Sequence, residues 1–230
     1  MQTALNRLLV QVDELLERER RFIADAAHEL RTPLAILRIH AQNAQTAVTE
    51  EQRGEALEFL VNGVDRATRI GSQLLTMARI EPQLNNPVCG RVHLTELVRE
   101  ELAELTPLAM EKGVELVLEG NEDCWVETEP VALAIAFQNL VTNALNFSPV
   151  GSEVKVVIGA HCLSVKDQGP GIQEAHIERL FERFYSRGNA NGAGLGLAIV
   201  QMIVGKIGCR LALHNRKQGG LCARLVFNEP

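Results

Sequence analysis

A chain of 230 residues can hold one or two domains with a sizeable core, and its 46% hydrophobic and 23% charged residues are globular proportions. Aromatics are only 4%, so the core must be built from Leu, Val, Ile and Ala. A net charge of −6 argues against a nucleic-acid partner, which needs a basic surface, but leaves room for a local site that takes an acidic nucleotide.

Met1 leads straight into QTALNRLLVQVDELLERERR, which is no signal peptide. No apolar run approaches the ~18–20 residues of a membrane helix. Leu5, Leu8, Val12 and Leu15 already repeat at coiled-coil spacing with no helix-start signal before them. Residues 1–20 therefore read as the end of a signalling helix, and the chain as a segment of a longer protein. The heptad steps continue through Ile23, Ala27, Leu30, Leu34, Leu37 and Ala41. A polar break, TEEQRG at 49–54, separates them from a second seam of Leu57, Leu60, Val64, Ala67, Gly71, Leu74 and Ala78. Two long helices joined by a short loop form an antiparallel hairpin over 1–80. One such hairpin cannot bury its seam alone, so pairing into a dimeric four-helix bundle is expected.

The segment 81–91, rich in Pro, Asn and Gly, reads as a linker. From 92 to 230 the pattern alternates. A helix near 94–112 precedes strands at 114–120 and 124–128, and Pro130 opens a helix to about Asn146. EVKVVIGA and CLSVKD form a hairpin around His161. A helix over 196–207 follows, and RLALHN and LCARLVF close the chain as a hairpin turned by KQGG. The expected fold is multi-domain, α and α/β: the helical hairpin, then an α/β sandwich with a mixed, largely antiparallel sheet. Cys89, Cys124, Cys162, Cys209 and Cys222 include no C-x-x-C pair, so no metal or redox role is expected, and they read as reduced thiols of a cytoplasmic protein.

Five stretches carry chemistry. In DAAHELRTPL, His28 lies roughly 140° around the first helix from its seam at ~100° per residue, with Asp25, Glu29 and Thr32 at helical neighbour spacing. It is either a solvated histidine on a charged face or an imidazole nucleophile whose proton Glu29 draws off. Pro33 favours the second reading, because a proline inside a helix costs ~3 kcal/mol and such a broken rule often marks a working site. In NLVTNALNF, Asn139 and Asn143 share a helix face, where a neutral carboxamide can ligate hydrated magnesium beside phosphates. DQGPGI ends a strand with Asp167, able to accept from an exocyclic amine, and the glycines let the backbone approach a flat ring. LFERFY offers aromatic packing beside a mobile segment. GAGLGLAIV feeds glycines into a helix N-terminus, a natural phosphate cradle. Taken singly, Asn pairs are usually solvated, such glycines often only make turns, and the phenylalanines are plain core.

In this order and after the His-Glu helix, the stretches resemble the transmitter region of bacterial two-component sensor histidine kinases of the type that serves OmpR-type regulators. FIADAAHELRTPLAILR is similar to the phosphoacceptor box, and the others to the N, G1, F and G2 boxes. The resemblance implies ATP and Mg²⁺ bound in the α/β domain. Asp167 would take the adenine amine, with Gly169, Gly171 and Ile172 around the ring and Phe147 beside it. Asn143 would hold Mg²⁺. Asn139, Tyr185, Arg187, Gly192, Gly194, Leu195, Gly196 and Leu197 would close over the phosphates. His28 would take the γ-phosphate with Glu29 as base, and pass it to an aspartate of a response regulator receiver domain, while Thr32 with Glu29 would serve regulator dephosphorylation. It further implies a homodimer through 1–80, no nucleic acid, and a cytoplasmic portion of an inner-membrane sensor held to the membrane only by N-terminal segments not in this chain. Two positions depart from the pattern: Asn146 stands where a basic residue is usual, and Ser186 displaces the expected arginine to Arg187. Two rival readings stand beside the kinase: an ATPase of the gyrase and heat-shock chaperone superfamily, and a non-catalytic dimeric signalling module.

Overall fold

The computed structural model describes residues 2–120, 123–173, 178–181 and 194–228. It divides into two compact units, Met1–Leu75 and Thr76–Pro230.

The first unit is a helical hairpin made by α1 (Gln2–Thr46) and most of α2 (Glu50–Gln83). The turn between them is Ala47–Thr49, so the polar stretch expected to break the helices at 49–54 is instead the first turn of α2. Thr49 explains the difference. Its Oγ1 accepts the Gln52 N–H at 3.2 Å, and Gln52 Oε1 accepts the Val48 N–H at 3.3 Å. This reciprocal cap satisfies N–H groups that a helix start leaves open, and Thr49 and Gln52 of TEEQ are its working parts. The helices run antiparallel, with Gly63 against Leu37 and the His40 ring stacked on Phe59 at 5.0 Å. Within one chain the seams are only half covered: Leu34 is 56% and Leu57 48% exposed, whereas Leu74 is buried.

Residues 81–91 are less irregular than their composition suggested. α2 continues to Gln83 with Pro82 in its last turn, where a missing N–H costs little because the helix is ending. Strand β1 (Gly90–His93) already begins at Gly90 and pairs antiparallel with β3 (Trp125–Thr128) as a separate two-stranded ribbon. Only Leu84–Cys89 remain without regular structure.

The main sheet has the order β2-β4-β5-β7-β6, built from β2 (Glu115–Gly120), β4 (Glu153–Ile158), β5 (Cys162–Lys166), β6 (Cys209–Asn215) and β7 (Leu221–Phe227). β2 and β4 are parallel and the other pairs antiparallel, the mixed sheet expected. Alternate residues point to one buried face: Val154, Val156 and Ile158, then Leu163 and Val165, then Ala223, Leu225 and Phe227. The core is completed by α3 (Leu94–Glu111), α4 (Pro130–Phe147) and α5 (Gly196–Val204). The opposite sheet face is polar, with Lys155 on Glu119 at 2.8 Å and Arg224 on the Ser164 hydroxyl at 3.1 Å.

Candidate nucleotide site and phosphoacceptor helix

Helix α4 starts where a proline fits, with Pro130 in its first turn and the Glu129 carboxylate accepting the N–H groups of Val131 and Ala132. Its buried residues, Ala132, Leu133, Ala136, Phe137, Leu140, Val141, Ala144 and Leu145, recur in pairs every four positions, which is one helix face. Asn139 and Asn143 flank that face and are half-buried. α5 opens directly against them: a methyl added at Gly196 would lie 3.0 and 3.1 Å from the Asn143 amide atoms and 3.4 Å from Asn139 Oδ1. The start of α5, which the sequence reads as a phosphate cradle, and the two asparagines, 53 residues or more apart in sequence, are therefore brought together. Gly194 reaches the helix with a φ of 67°, a conformation natural to glycine. Leu195 is fully buried and anchors the turn, and Leu197 is half-buried.

The two asparagines differ. Asn139 Nδ2 donates to the Ile135 carbonyl at 2.8 Å, which fixes its amide with Oδ1 near Gly196. The Asn143 amide makes no hydrogen bond among the described residues. An unspent carboxamide at a helix N-terminus is what a hydrated magnesium ion and its phosphates require, so these residues fit the metal.

Asp167 follows β5 and is 6% exposed. Its Oδ1 accepts the Gly169 N–H at 2.8 Å and the Leu221 N–H at 2.9 Å. Both bonds fall on one oxygen, and an amine donor can be taken by Oδ2. Burial pushes the carboxyl above the ordinary aspartate range, held back in part by the two N–H groups and the Arg216 guanidinium. Gly169 backs onto the end of α4, where a methyl would sit 2.7 Å from the Phe147 carbonyl oxygen. The exposed Phe147 is thereby fixed beside the loop.

Three residues that shape this loop were not legible as site residues. Asn215, at the end of β6, clamps Ile172: its Oδ1 accepts the Ile172 N–H at 2.7 Å and its Nδ2 donates to the Ile172 carbonyl at 2.6 Å. A methyl on Gly171, whose φ is 71°, would collide with that same Asn215. Arg216 donates to the Asp167 carbonyl. Gly220 lies so close that an added methyl would stand 2.0 Å from the Asp167 oxygen. The glycines of DQGPGI are thus required by the protein's own packing.

On α1, His28 and Thr32 are exposed and Pro33 is buried. The Glu29 side chain, together with Tyr185, Ser186, Arg187 and Gly192, lies outside the described residues. Asn146 is half-buried in the last turn of α4. Two family models match the chain: the His Kinase A (phospho-acceptor) domain over residues 18–83, and the histidine kinase-, DNA gyrase B- and HSP90-like ATPase over 128–230.

The chain belongs to the sensor histidine kinases. It is 39% identical to the swarming motility regulation sensor protein RssA of Serratia marcescens, over 90% of this chain and 46% of that protein. It is 36% identical to the sensor protein QseC of Escherichia coli K12, over 97% of this chain and 51% of that one. The chain thus spans about half the length of these relatives. Among solved structures, the cytoplasmic segment of histidine kinase QseC matches with a TM-score of 0.51 at 27% identity, covering 73% of this chain and 95% of that one. Full-length histidine kinase ShkA in complex with AMPPNP gives 0.61 at 26% identity, over 90% of this chain and 45% of that one. No helix among the described residues of this histidine kinase chain is long and apolar enough to cross a membrane.

Proposed function

We propose that this histidine kinase chain transfers the γ-phosphoryl group of ATP to His28 and passes it on to an aspartate of a response regulator receiver domain. The observation that carries the nucleotide half is the meeting of Gly196 with the unspent Asn143 amide; for the acceptor half it is the exposure of His28 on α1. Asp167 accepts the adenine amine within the loop pinned by Asn215 and Gly220. The N-terminus of α5 faces the phosphates, with Asn139 beside it. Asn143 would hold Mg²⁺, which neutralises phosphate charge as it develops.

In the chemical step a ring nitrogen of His28 forms a bond to the γ-phosphorus while the bond to the ADP oxygen breaks. The ring proton leaves to Glu29, and ADP departs. Positioning supplies most of the acceleration, since a phosphoryl group in transfer needs little covalent help. The group then moves from nitrogen to a receiver carboxylate, and Glu29 with Thr32 orients the water that hydrolyses the regulator's aspartyl phosphate to free phosphate. Two copies pair through residues 1–80, covering the seam residues Leu34 and Leu57. The chain is read as the cytoplasmic part of an inner-membrane sensor.

Incubation with γ-labelled ATP and Mg²⁺ tests this against the superfamily ATPase. The expected label survives base, is lost in acid, and is absent from His28→Ala. Release of inorganic phosphate at an undiminished rate from His28→Ala, with no labelled protein, would assign the chain to the ATPases instead.

A further inference from the structure

The β1–β3 ribbon presents four side chains on its outer face, Arg91 and His93 from β1 opposite Glu127 and Trp125 from β3. Together with His161 and Asn228 from neighbouring segments, it borders a hollow of about 450 Å³, the size of a small-molecule site. None of these residues belongs to the nucleotide site.

The ribbon is built rather than loose. Trp125 donates its indole N–H to Asp123 Oδ1 at 2.6 Å. His93 packs edge-on against the indole with ring centres 4.7 Å apart. Its Nδ1 accepts the Glu96 N–H at 3.2 Å, so its ring proton lies on Nε2, 3.3 Å from the same Asp123 oxygen. An indole fixed at its N–H and its edge is still 43% exposed. The Arg91 guanidinium stacks on it, 4.8 Å from the ring centre, an arrangement that holds the cation while leaving its N–H edge open to a carboxylate.

Arg91 and Glu127 are direct cross-strand partners, at the spacing where opposite charges normally pair. Here Arg91 is held on the tryptophan, and among the described residues Glu127 makes no ion pair or side-chain hydrogen bond. The side chains of His161 and Asn228 likewise have no hydrogen-bond partner among the described residues. A cation and an anion are thus kept apart at the rim of one hollow, with two further polar side chains beside them.

We propose that this hollow binds a free α-amino acid. Its carboxylate docks on the open edge of Arg91, its ammonium on Glu127, and its side chain enters the hollow toward His161 and Asn228. A ligand carrying both charges replaces the ion pair that the ribbon geometry withholds, whereas a ligand with one charge leaves the other side chain unanswered.

Trp125 is the only tryptophan in the chain, so its fluorescence reports this site alone. The full chain is titrated with leucine, with N-acetyl-leucine and with leucinamide, at fixed ionic strength and without nucleotide. The expected result is a saturable change with leucine and none with either single-charge analogue. Glu127→Gln and Arg91→Gln each weaken the leucine response about 10- to 100-fold, the worth of a charge-assisted hydrogen bond, and Arg91→Lys retains part of it. No saturable response to leucine, glycine or glutamate, or equal responses to leucine and its analogues, would overturn the proposal. Nucleotide binding is measured on the same samples and is unchanged in all three variants.

Discussion

Gly219 and Gly220 stand side by side in the turn from β6 to β7 with φ of 90° and 85°. A methyl at Gly219 would meet nothing within 4 Å, whereas one at Gly220 would lie 2.0 Å from the Asp167 carbonyl oxygen and 2.7 Å from its carbon. Alanine at either position carries the left-handed backbone penalty of about 1–2 kcal/mol. Only Gly220→Ala adds a collision with backbone. That contact is more than 1 Å inside the ordinary ~3.5 Å separation of nonbonded atoms, so Asp167 or the turn must move bodily. The expected loss of stability is about 1–2 kcal/mol for Gly219→Ala and about 4 kcal/mol or more for Gly220→Ala, a size reserved for steric or buried-polar lesions. Urea unfolding followed by Trp125, which lies in the second unit, measures both. Displacing Asp167 also misplaces the proposed acceptor for adenine, so Gly220→Ala is expected to lose nucleotide affinity at urea-free equilibrium while Gly219→Ala keeps it. Equal destabilisation by the two substitutions, or full nucleotide affinity in Gly220→Ala, would refute the assignment of Gly220 as the wall behind the adenine loop.

Thr49→Ala removes the cap that starts α2 and costs the hairpin about 1 kcal/mol, read from helix melting by circular dichroism. Because burial raises the Asp167 carboxyl, protonation neutralises the proposed adenine acceptor at a pH above the ordinary aspartate range. Nucleotide affinity therefore falls as pH drops through that raised value, and Asp167→Asn binds about 10- to 100-fold more weakly with a flat profile. The stability linkage has the opposite direction: a folded-state value above the unfolded one favours the fold at low pH, and this contribution is lost as pH rises through it. The buried Cys209 thiol is pushed up to about 12 and Cys89 is exposed. Alkylation at pH 8 followed by peptide mass mapping is expected to modify Cys89 first and leave Cys209 intact until the chain unfolds.

What could be read from the sequence was local periodicity and spacing. Asn139 and Asn143 lie one helical turn apart, and the glycines of GAGLGLAIV adjoin a helix start, so both segments announced their form. Their convergence at Gly196 follows from α4 packing on α5, a tertiary fact that no spacing carries. Asn215, Arg216 and Gly220 read only as hairpin and turn, because Asn215 meets Ile172, and Arg216 and Gly220 meet Asp167, only once the strands pair across roughly forty to fifty residues. Strand β1 was hidden for a similar reason: four residues, GRVH, give no usable alternation, and their partner lies beyond α3 and β2. The polar TEEQRG reads as a loop by composition, although its Thr-x-x-Gln spacing is itself a helix-start signal.

The most direct test of phosphoryl transfer to position 28 is peptide mapping of the chain after incubation with Mg-ATP. Trypsin cuts after Arg21 and Arg31 and releases FIADAAHELR, which holds His28 and contains no Ser, Thr or Tyr. The expected product is this peptide carrying one phosphoryl group that persists in base and is lost in acid. An unmodified peptide in a sample that has consumed ATP, or a phosphate mapped to any other peptide, would contradict the account.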